Sequence, residues 1–313
     1  MLYPISAIRP EAEDLIGYIN TTGNIIVPPS YVAGGYFFEG KAGVVDADGK
    51  SGFIDGTGSL AIPLLFEGVG KFQNGVCSMG GGYLDHRGRW LIEPRFLIAS
   101  HFSEGRAHVS FDGESFAFID LSGRVVIEGP FQSCRHFSEG LAPVRREGAW
   151  GYIDKDDEIV IPFVFEGEVA WPFFNGLAGV RLDGKMGFID RSGNFVIKPR
   201  YDQLTRFVEG LAGVRSGSKW GVIDLGGRVV VEPRFDRLWE FHNGLANAEC
   251  DGRAGHIRQD GEWAYQPKYT ESYRFFGELA VAREGVVYSY IRDDGIPVWT
   301  SEPYAMPQTP PFV

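Results

Sequence analysis

The sequence predicts an all-β repeat protein, and three observations carry that expectation. A Gly-aromatic-Ile-Asp motif returns nine times, a Phe-x-x-Gly turn and a β-branched run with proline and an aromatic keep the same period, and apolar residues stand side by side in the short runs between turns. The motif reads Gly17-Tyr18-Ile19-Asn20, Gly52-Phe53-Ile54-Asp55, Gly82-Tyr83-Leu84-Asp85, Ala117-Phe118-Ile119-Asp120, Gly151-Tyr152-Ile153-Asp154, Gly187-Phe188-Ile189-Asp190, Gly221-Val222-Ile223-Asp224, Gly255-His256-Ile257-Arg258 and, decayed, Ser289-Tyr290-Ile291-Arg292. Successive copies lie 35, 30, 35, 34, 36, 34, 34 and 34 residues apart. A period in this range marks stacked supersecondary units rather than one irregular globule.

Each unit opens on Phe-x-x-Gly, from Phe37–Gly40 through Phe241–Gly244, with Phe275–Glu278 as a degenerate last copy. Three short strands follow, for example Leu177 to Leu182, Met186 to Asp190 and Phe195 to Ile197. The first pair is joined by dipeptides such as Asp183-Gly184, Asp48-Gly49 and Asp251-Gly252, where glycine supplies the positive φ of a tight hairpin. The second pair is joined by Asp-x-x-Gly, as in Asp190 to Gly193, and its aspartate accepts hydrogen bonds from the turn amides. Proline then ends the third strand, because it donates nothing to the next ladder bond. Between Cys77 and Tyr83 the hairpin shrinks to Met79-Gly80-Gly81-Gly82, which predicts a local defect in the array.

Adjacent apolar residues in the second and third strands, such as Phe188-Ile189 and Phe195-Val196-Ile197, require cover on both faces of each small sheet. The expected architecture is one array over residues 1–304, an open β-solenoid or spiral of nine three-stranded units. Residues 305–313, with three prolines, form a cap or tail. The alternative is a closed β-propeller, whose blades usually carry four strands and number four to eight.

A net charge of −11 argues against a protein that tracks nucleic-acid phosphates and against an anionic membrane surface, while a basic protein partner stays eligible. Cys77, Cys134 and Cys250 are odd in number and widely spaced, so neither a disulfide framework nor a zinc site is indicated. No secretory leader opens the chain and no run of eighteen apolar residues occurs, which points to a cytoplasmic protein.

Trp150-Gly151-Tyr152-Ile153-Asp154 and Trp220-Gly221-Val222-Ile223-Asp224, with a Gly-Leu-Ala-type run before them and Ile/Val-x-Pro-x-aromatic after, resemble the bacterial WG-repeat (KWG) family. The tryptophan is kept only in these two copies; Ser51, Phe116, Met186 and Ala254 replace it elsewhere. The resemblance implies a β-rich repeat module without a shared catalytic residue.

No catalytic constellation, cofactor motif or metal set is legible. His101 and His136 share a repeat position, but no carboxylate or cysteine recurs beside them, and an exposed loop ladder is the plainer account. Asp154 to Glu158 has alternating carboxylates like a calcium loop, yet Phe165 stands where the distal glutamate belongs and Asp157 where the turn glycine belongs. Glu104, Glu139 and Glu209 recur inside Phe-x-x-Gly, and such repetition favours a structural role over catalysis.

Informative variation lies just before that phenylalanine. Two residues upstream the copies read Gly35, Gly70, Ser100, Arg135, Trp171, Thr205, Trp239 and Tyr273, and one residue upstream they include His136 and Arg206. Large aromatic and guanidinium groups dominate interface energetics. The expected function is a non-enzymatic protein-binding scaffold whose strip is Arg135, His136, Trp171, Arg206, Trp239 and Tyr273. Its narrower form is an immunity protein neutralising a basic toxin, and the alternative is a glycan or cell-envelope binding module. Exposed tryptophans at 171 and 239 are part of this expectation; the competing one tucks both under the loop as satellite core.

Overall fold

The computed structural model of the chain describes residues 1–9, 12–168 and 170–301; the expected tail at 305–313 lies outside them. The chain forms two compact units, one from the described parts of Met1–His101 and Phe276–Val313, the other from Phe102–Phe275. Nine antiparallel sheets occur among the described residues, each running in chain order. The first unit contains Tyr3–Arg9 with Ala12–Ile19 and Ile25–Tyr31, and the sheets built on Lys41–Val45 with Ser51–Asp55, Val76–Met79 with Gly82–Asp85, and Leu279–Glu284 with Val287–Ile291. The second is built on the hairpins Ala107–Ser110/Phe116–Ile119, Ala142–Arg146/Ala149–Ile153, Ala178–Leu182/Lys185–Ile189, Leu211–Ser216/Lys219–Asp224 and Leu245–Cys250/Arg253–Arg258.

The expected three-stranded unit is corrected first: six of the nine sheets carry a fourth strand. It is two residues long in most copies, as in Ala33–Gly34, Ser133–Cys134 and Gln203–Leu204, and it lies in the segment that reads as a loop. Two residues cannot show a period of two, which is why the pattern hides them.

The open solenoid is corrected second. Within the first unit the last sheet packs on the first through the same contacts that join the first to the second. The turn glycine Gly58 sits against the Val27 side chain of the preceding sheet, and the equivalent glycine Gly23 sits against the backbone carbonyl of Val298. Lys71 lies over the Phe38 ring at 5.0 Å, and Tyr36 meets Phe276 at 4.6 Å between ring centroids. Two hydrogen bonds reinforce this junction: Tyr290 Oη donates to Pro4 O at 2.7 Å, and Glu278 N donates to Tyr3 Oη at 2.9 Å. Tyr3, Ile5, Ile19, Leu279 and Tyr290 form a buried cluster there. Neither terminal sheet is left with an open apolar face, so the fold belongs to the β-propeller class, with small antiparallel meanders, most of them four-stranded, as blades.

Proline does not end the third strand. Ile159–Phe165, Phe195–Tyr201 and Val229–Phe235 run through Pro162, Pro199 and Pro233. Trp150 pairs with Phe165 and Tyr152 with Ile161, so Gly151 alone faces the three residues from Pro162 to Val164. Proline is tolerated at such a bulge because no ladder bond is required of it. The bulged strand presses on the motif glycine: a Cβ would lie 2.5 Å from Ile62 O at Gly52, 2.7 Å from Ile161 O at Gly151 and 2.5 Å from Val231 O at Gly221. The glycine of the motif is thus a close-approach residue rather than a turn residue.

The shortened third copy folds with less disturbance than expected. Met79 pairs with Gly82 across Gly80 and Gly81, both at positive φ, and the defect is confined to a third strand cut to Trp90–Ile92. Cys77 and Cys134 are buried, free thiols, and burial pushes Cys77 up to about 12.

Two outcomes follow from this packing. Gly52→Ala should lower unfolding free energy by about 1–3 kcal/mol in a denaturant titration, as an overpacked core does. Tyr290→Phe should cost about 1–3 kcal/mol by leaving the Pro4 carbonyl unsatisfied where the terminal sheets meet.

Candidate functional site

The six residues expected to form a strip, Arg135, His136, Trp171, Arg206, Trp239 and Tyr273, all lie in the second unit. In three copies the backbone at this repeat position donates back to the hairpin of its own sheet. Arg135 N donates to Pro143 O at 3.0 Å, Trp171 N to Gly179 O at 3.2 Å and Thr205 N to Gly213 O at 2.8 Å. The motif aromatic of the preceding repeat secures the same segment: Tyr152 Oη donates to Trp171 O at 2.9 Å, and His256 Nε2 lies 2.9 Å from Tyr273 O.

The side chains divide into three kinds. His136, Arg206 and their neighbours form a lateral ladder across successive repeats. His136 meets the Phe174 ring at 6.3 Å, Arg206 lies over Phe174 at 5.1 Å, and Arg206 grips Glu240 through Nε at 2.7 Å and Nη2 at 2.8 Å. Burial works to raise the Glu240 carboxyl, but the His242 and Arg206 groups beside it outweigh that and hold it at about 2. Trp171 is half-buried and packs on the cluster containing Phe188, Tyr201 and Phe207; a Cβ at Gly179 would lie 2.6 Å from its ring. That corrects the expectation for Trp171, which is satellite core. Arg135 and Trp239 are exposed, Trp239 at 42 %, and Tyr273 is half-buried with its hydroxyl on Glu271 at 2.8 Å.

Asn247 explains why the two tryptophans differ. It occupies the position of Gly179 in its own repeat, its side chain is buried, and its Nδ2 donates to Ser272 O at 3.2 Å. The floor that receives Trp171 is therefore filled beneath Trp239. Leu238 pairs with Ala248 and Phe241 with Ala246, so Trp239 and Glu240 stand in a bulge opposite Asn247. Bulges re-aim side chains, and here one turns an indole outward.

The acidic candidates are structural. Glu39, Glu104, Glu139 and Glu209 all sit at positive φ, from 49° to 54°, and accept from Gly75, Gly140, Gly176 and Gly244 N–H of the following repeat at 2.9–3.1 Å. Asp154 Oδ1 accepts from Asp156 N at 2.9 Å and Glu158 N at 3.0 Å, the same bonds that Asp190 makes with Ser192 and Asn194. The calcium-like segment is thus one more turn of the repeat. Among the described residues the one group of three metal-type donors is Asp236, Cys250 and Asp251, which excludes His101 and His136. Lys219 Nζ already holds Asp236 at 2.6 Å, and Asp251 N donates to it at 2.8 Å.

Residue-by-residue reading missed one polar pair. His256 replaces the motif aromatic and Tyr265 stands nine residues later, where Ile161, Ile197 and Val231 fill the core of other repeats. Tyr265 Oη lies 2.6 Å from His256 Nδ1. Since the Tyr273 carbonyl only accepts, Nε2 carries the proton and Nδ1 accepts from the tyrosine. Burial pushes the imidazole down to about 4, against the pull of the Tyr273 carbonyl. The sequence signal was available as a simultaneous exchange at two paired positions.

The profile of the WG containing repeat matches eight segments, 16–50, 52–78, 82–114, 116–148, 150–185, 186–220, 220–253 and 255–285. No curated protein matches. Among solved structures, a eukaryotic initiation factor is similar over 96 % of each chain at 10 % identity and a TM-score of 0.63. The computationally designed protein Ika8 is similar over 86 % of this chain and 96 % of its own, at 15 % identity and a TM-score of 0.52. The dihydro-heme d1 dehydrogenase NirN, solved in complex with DHE, is similar over 84 % of this chain and 73 % of its own, at 11 % identity and a TM-score of 0.51. At these identities the likeness is one of fold alone.

Trp171→Ala should cost about 2–4 kcal/mol in chemical unfolding, whereas Trp239→Ala should stay within about 0.5 kcal/mol of the parent. Acid should destabilise the chain through His256. Above pH 6.5 it is neutral folded and unfolded; between 6.5 and about 4 only the unfolded chain takes the proton, so stability falls with pH by about 3 kcal/mol in all and then levels. The double change His256→Phe with Tyr265→Val, which restores the apolar pairing, should remove that slope from a pH series of unfolding curves.

Proposed function

Because the chain belongs to the WG-repeat family, matched over eight repeats, we propose that it is a non-enzymatic protein-binding scaffold whose recognition face is centred on Trp239. A repeat β-propeller suggests such a scaffold, since its repeated loops offer a broad surface on a rigid frame. The observation that carries the reading is the exposed indole itself. Trp239 stands at a variable repeat position, turned out by a bulge, beside a buried Asn247 that prevents it from lying down as Trp171 does. Exposed tryptophan on a rigid edge is a residue type that anchors interfaces.

The periodic acids and aspartates are taken up by turn and inter-repeat hydrogen bonds, which supports binding over catalysis. An immunity protein facing a basic toxin is the narrower form that the −11 charge invites. Affinity capture from the native host with the parent chain and with Trp239→Ala, read by quantitative mass spectrometry, tests the proposal. A specific partner lost from the variant at unchanged thermal stability is the expected result; identical capture by both would remove the Trp239 face from consideration.

A further inference from the structure

We infer that Asn74, Asn175 and Asn243 are latent deamidation sites, each held inert by a glutamate of the preceding repeat. They stand in the Asn-Gly steps Asn74-Gly75, Asn175-Gly176 and Asn243-Gly244. In such a step the glycine nitrogen, once it has lost its proton to solvent base, attacks Cγ of the asparagine. The N–Cγ bond forms, the Cγ–Nδ2 bond breaks, and Nδ2 leaves as ammonia. Water then opens the cyclic imide at either carbonyl, giving aspartate or isoaspartate. Glycine has no side chain to shield its nitrogen. All three asparagines are exposed, so water and base reach them. Isoaspartate would add a backbone atom to a turn of two residues, the tightest link in the repeat.

Two features of the fold oppose the attack. The first is the turn itself. Asn74, Asn175 and Asn243 have φ of 54°, 54° and 55°, and the glycines after them 83°, 76° and 76°, the left-handed pair of a two-residue hairpin. Phe174 and Leu177 close one turn with N–O bonds of 2.9 and 3.2 Å, and Gln73 pairs with Val76 and His242 with Leu245 across the other two. The five-membered imide needs a backbone torsion at the asparagine that this turn does not have, so the hairpin must open first. Asn175 is further tied by Nδ2, which donates to Phe207 O of the next repeat at 3.2 Å.

The second feature is the glutamate. The attacking nitrogens are the same N–H groups that donate to Glu39 at 3.0 Å, Glu139 at 3.0 Å and Glu209 at 2.9 Å. Each carboxylate holds the proton that must leave, and its negative charge opposes the anionic nitrogen on which the attack depends. Along the chain this turn position reads Glu39, Asn74, Glu104, Glu139, Asn175, Glu209 and Asn243, so every asparagine follows a glutamate.

The test incubates the full chain and its variants in mildly alkaline buffer, beside a synthetic peptide of residues 172–178, and follows the three asparagines by peptide-mapping mass spectrometry. In the parent chain Asn175 should outlast the same residue in the peptide. Glu139→Ala should speed its conversion about tenfold, as removal of one hydrogen bond to a charged group does to an opening equilibrium, while Asn74 and Asn243 keep the parent rate. Glu139→Gln, which retains an acceptor without the charge, should give a smaller rise. Asn175 reacting in the parent as fast as in the peptide, an unchanged or slower rate in Glu139→Ala, or a larger rise with Glu139→Gln than with Glu139→Ala would each overturn the inference. So would equal acceleration at all three asparagines, which marks general loosening rather than the loss of one clamp.

Discussion

Each sheet of this chain is too small to cover its own apolar residues, so every one depends on the face of its neighbour. The middle strands are buried along almost their whole length, as in Ala149–Ile153 and Ser51–Asp55, which leaves no polar face to turn to water. Within each unit the contact is made at closest range by turn glycines. Gly58 lies on Val27, Gly88 on Ile62, Gly227 on Ile197 and Gly261 on Val231, each so close that a Cβ would come within 3 Å of the aliphatic side chain. Those Ile and Val residues contribute roughly 2–3 kcal/mol each by burial. The glycine that caps each of them is also the residue that closes the turn with positive φ.

The same constraint explains how the termini behave. An array whose units shelter one another has two unsheltered faces wherever it stops. Here Tyr290, Trp299 and Val298 pack with Tyr3 and Ile5 in one cluster. Tyrosine in place of phenylalanine at the motif adds a polar tie where a loop carbonyl is within reach: Tyr18 to Gly35 O, Tyr83 to Ser100 O, Tyr152 to Trp171 O. The Tyr290 hydroxyl finds Pro4 O instead.

Variation is admitted only where it does not disturb this packing. The His256–Tyr265 pair enters the core because both partners changed together and each polar atom of the pair is satisfied. Asn247 enters at a glycine position and displaces an indole rather than a strand. The candidate face thus arises from a core substitution, two steps removed from any surface signal in the sequence.

Much of the repeat was readable because its chemistry is local. Asp-x-x-Gly turns, Asp-Gly hairpins and the structural role of Glu104, Glu139 and Glu209 rest on φ preferences and short-range hydrogen bonds, which a period of about 34 residues displays in copy after copy. The two-residue fourth strand, the course of the third strand through Pro162, Pro199 and Pro233, and the different fates of Trp171 and Trp239 were not readable in the same way. Each is decided by what lies opposite in space: a ladder partner, a bulge over Gly151, or the presence of Gly179 against Asn247. By itself the sequence determined an all-β array whose small sheets must be covered on both faces. Only the tertiary structure decided that the last sheet covers the first and that one indole of two faces solvent, because both are settled by contacts between residues far apart in the chain.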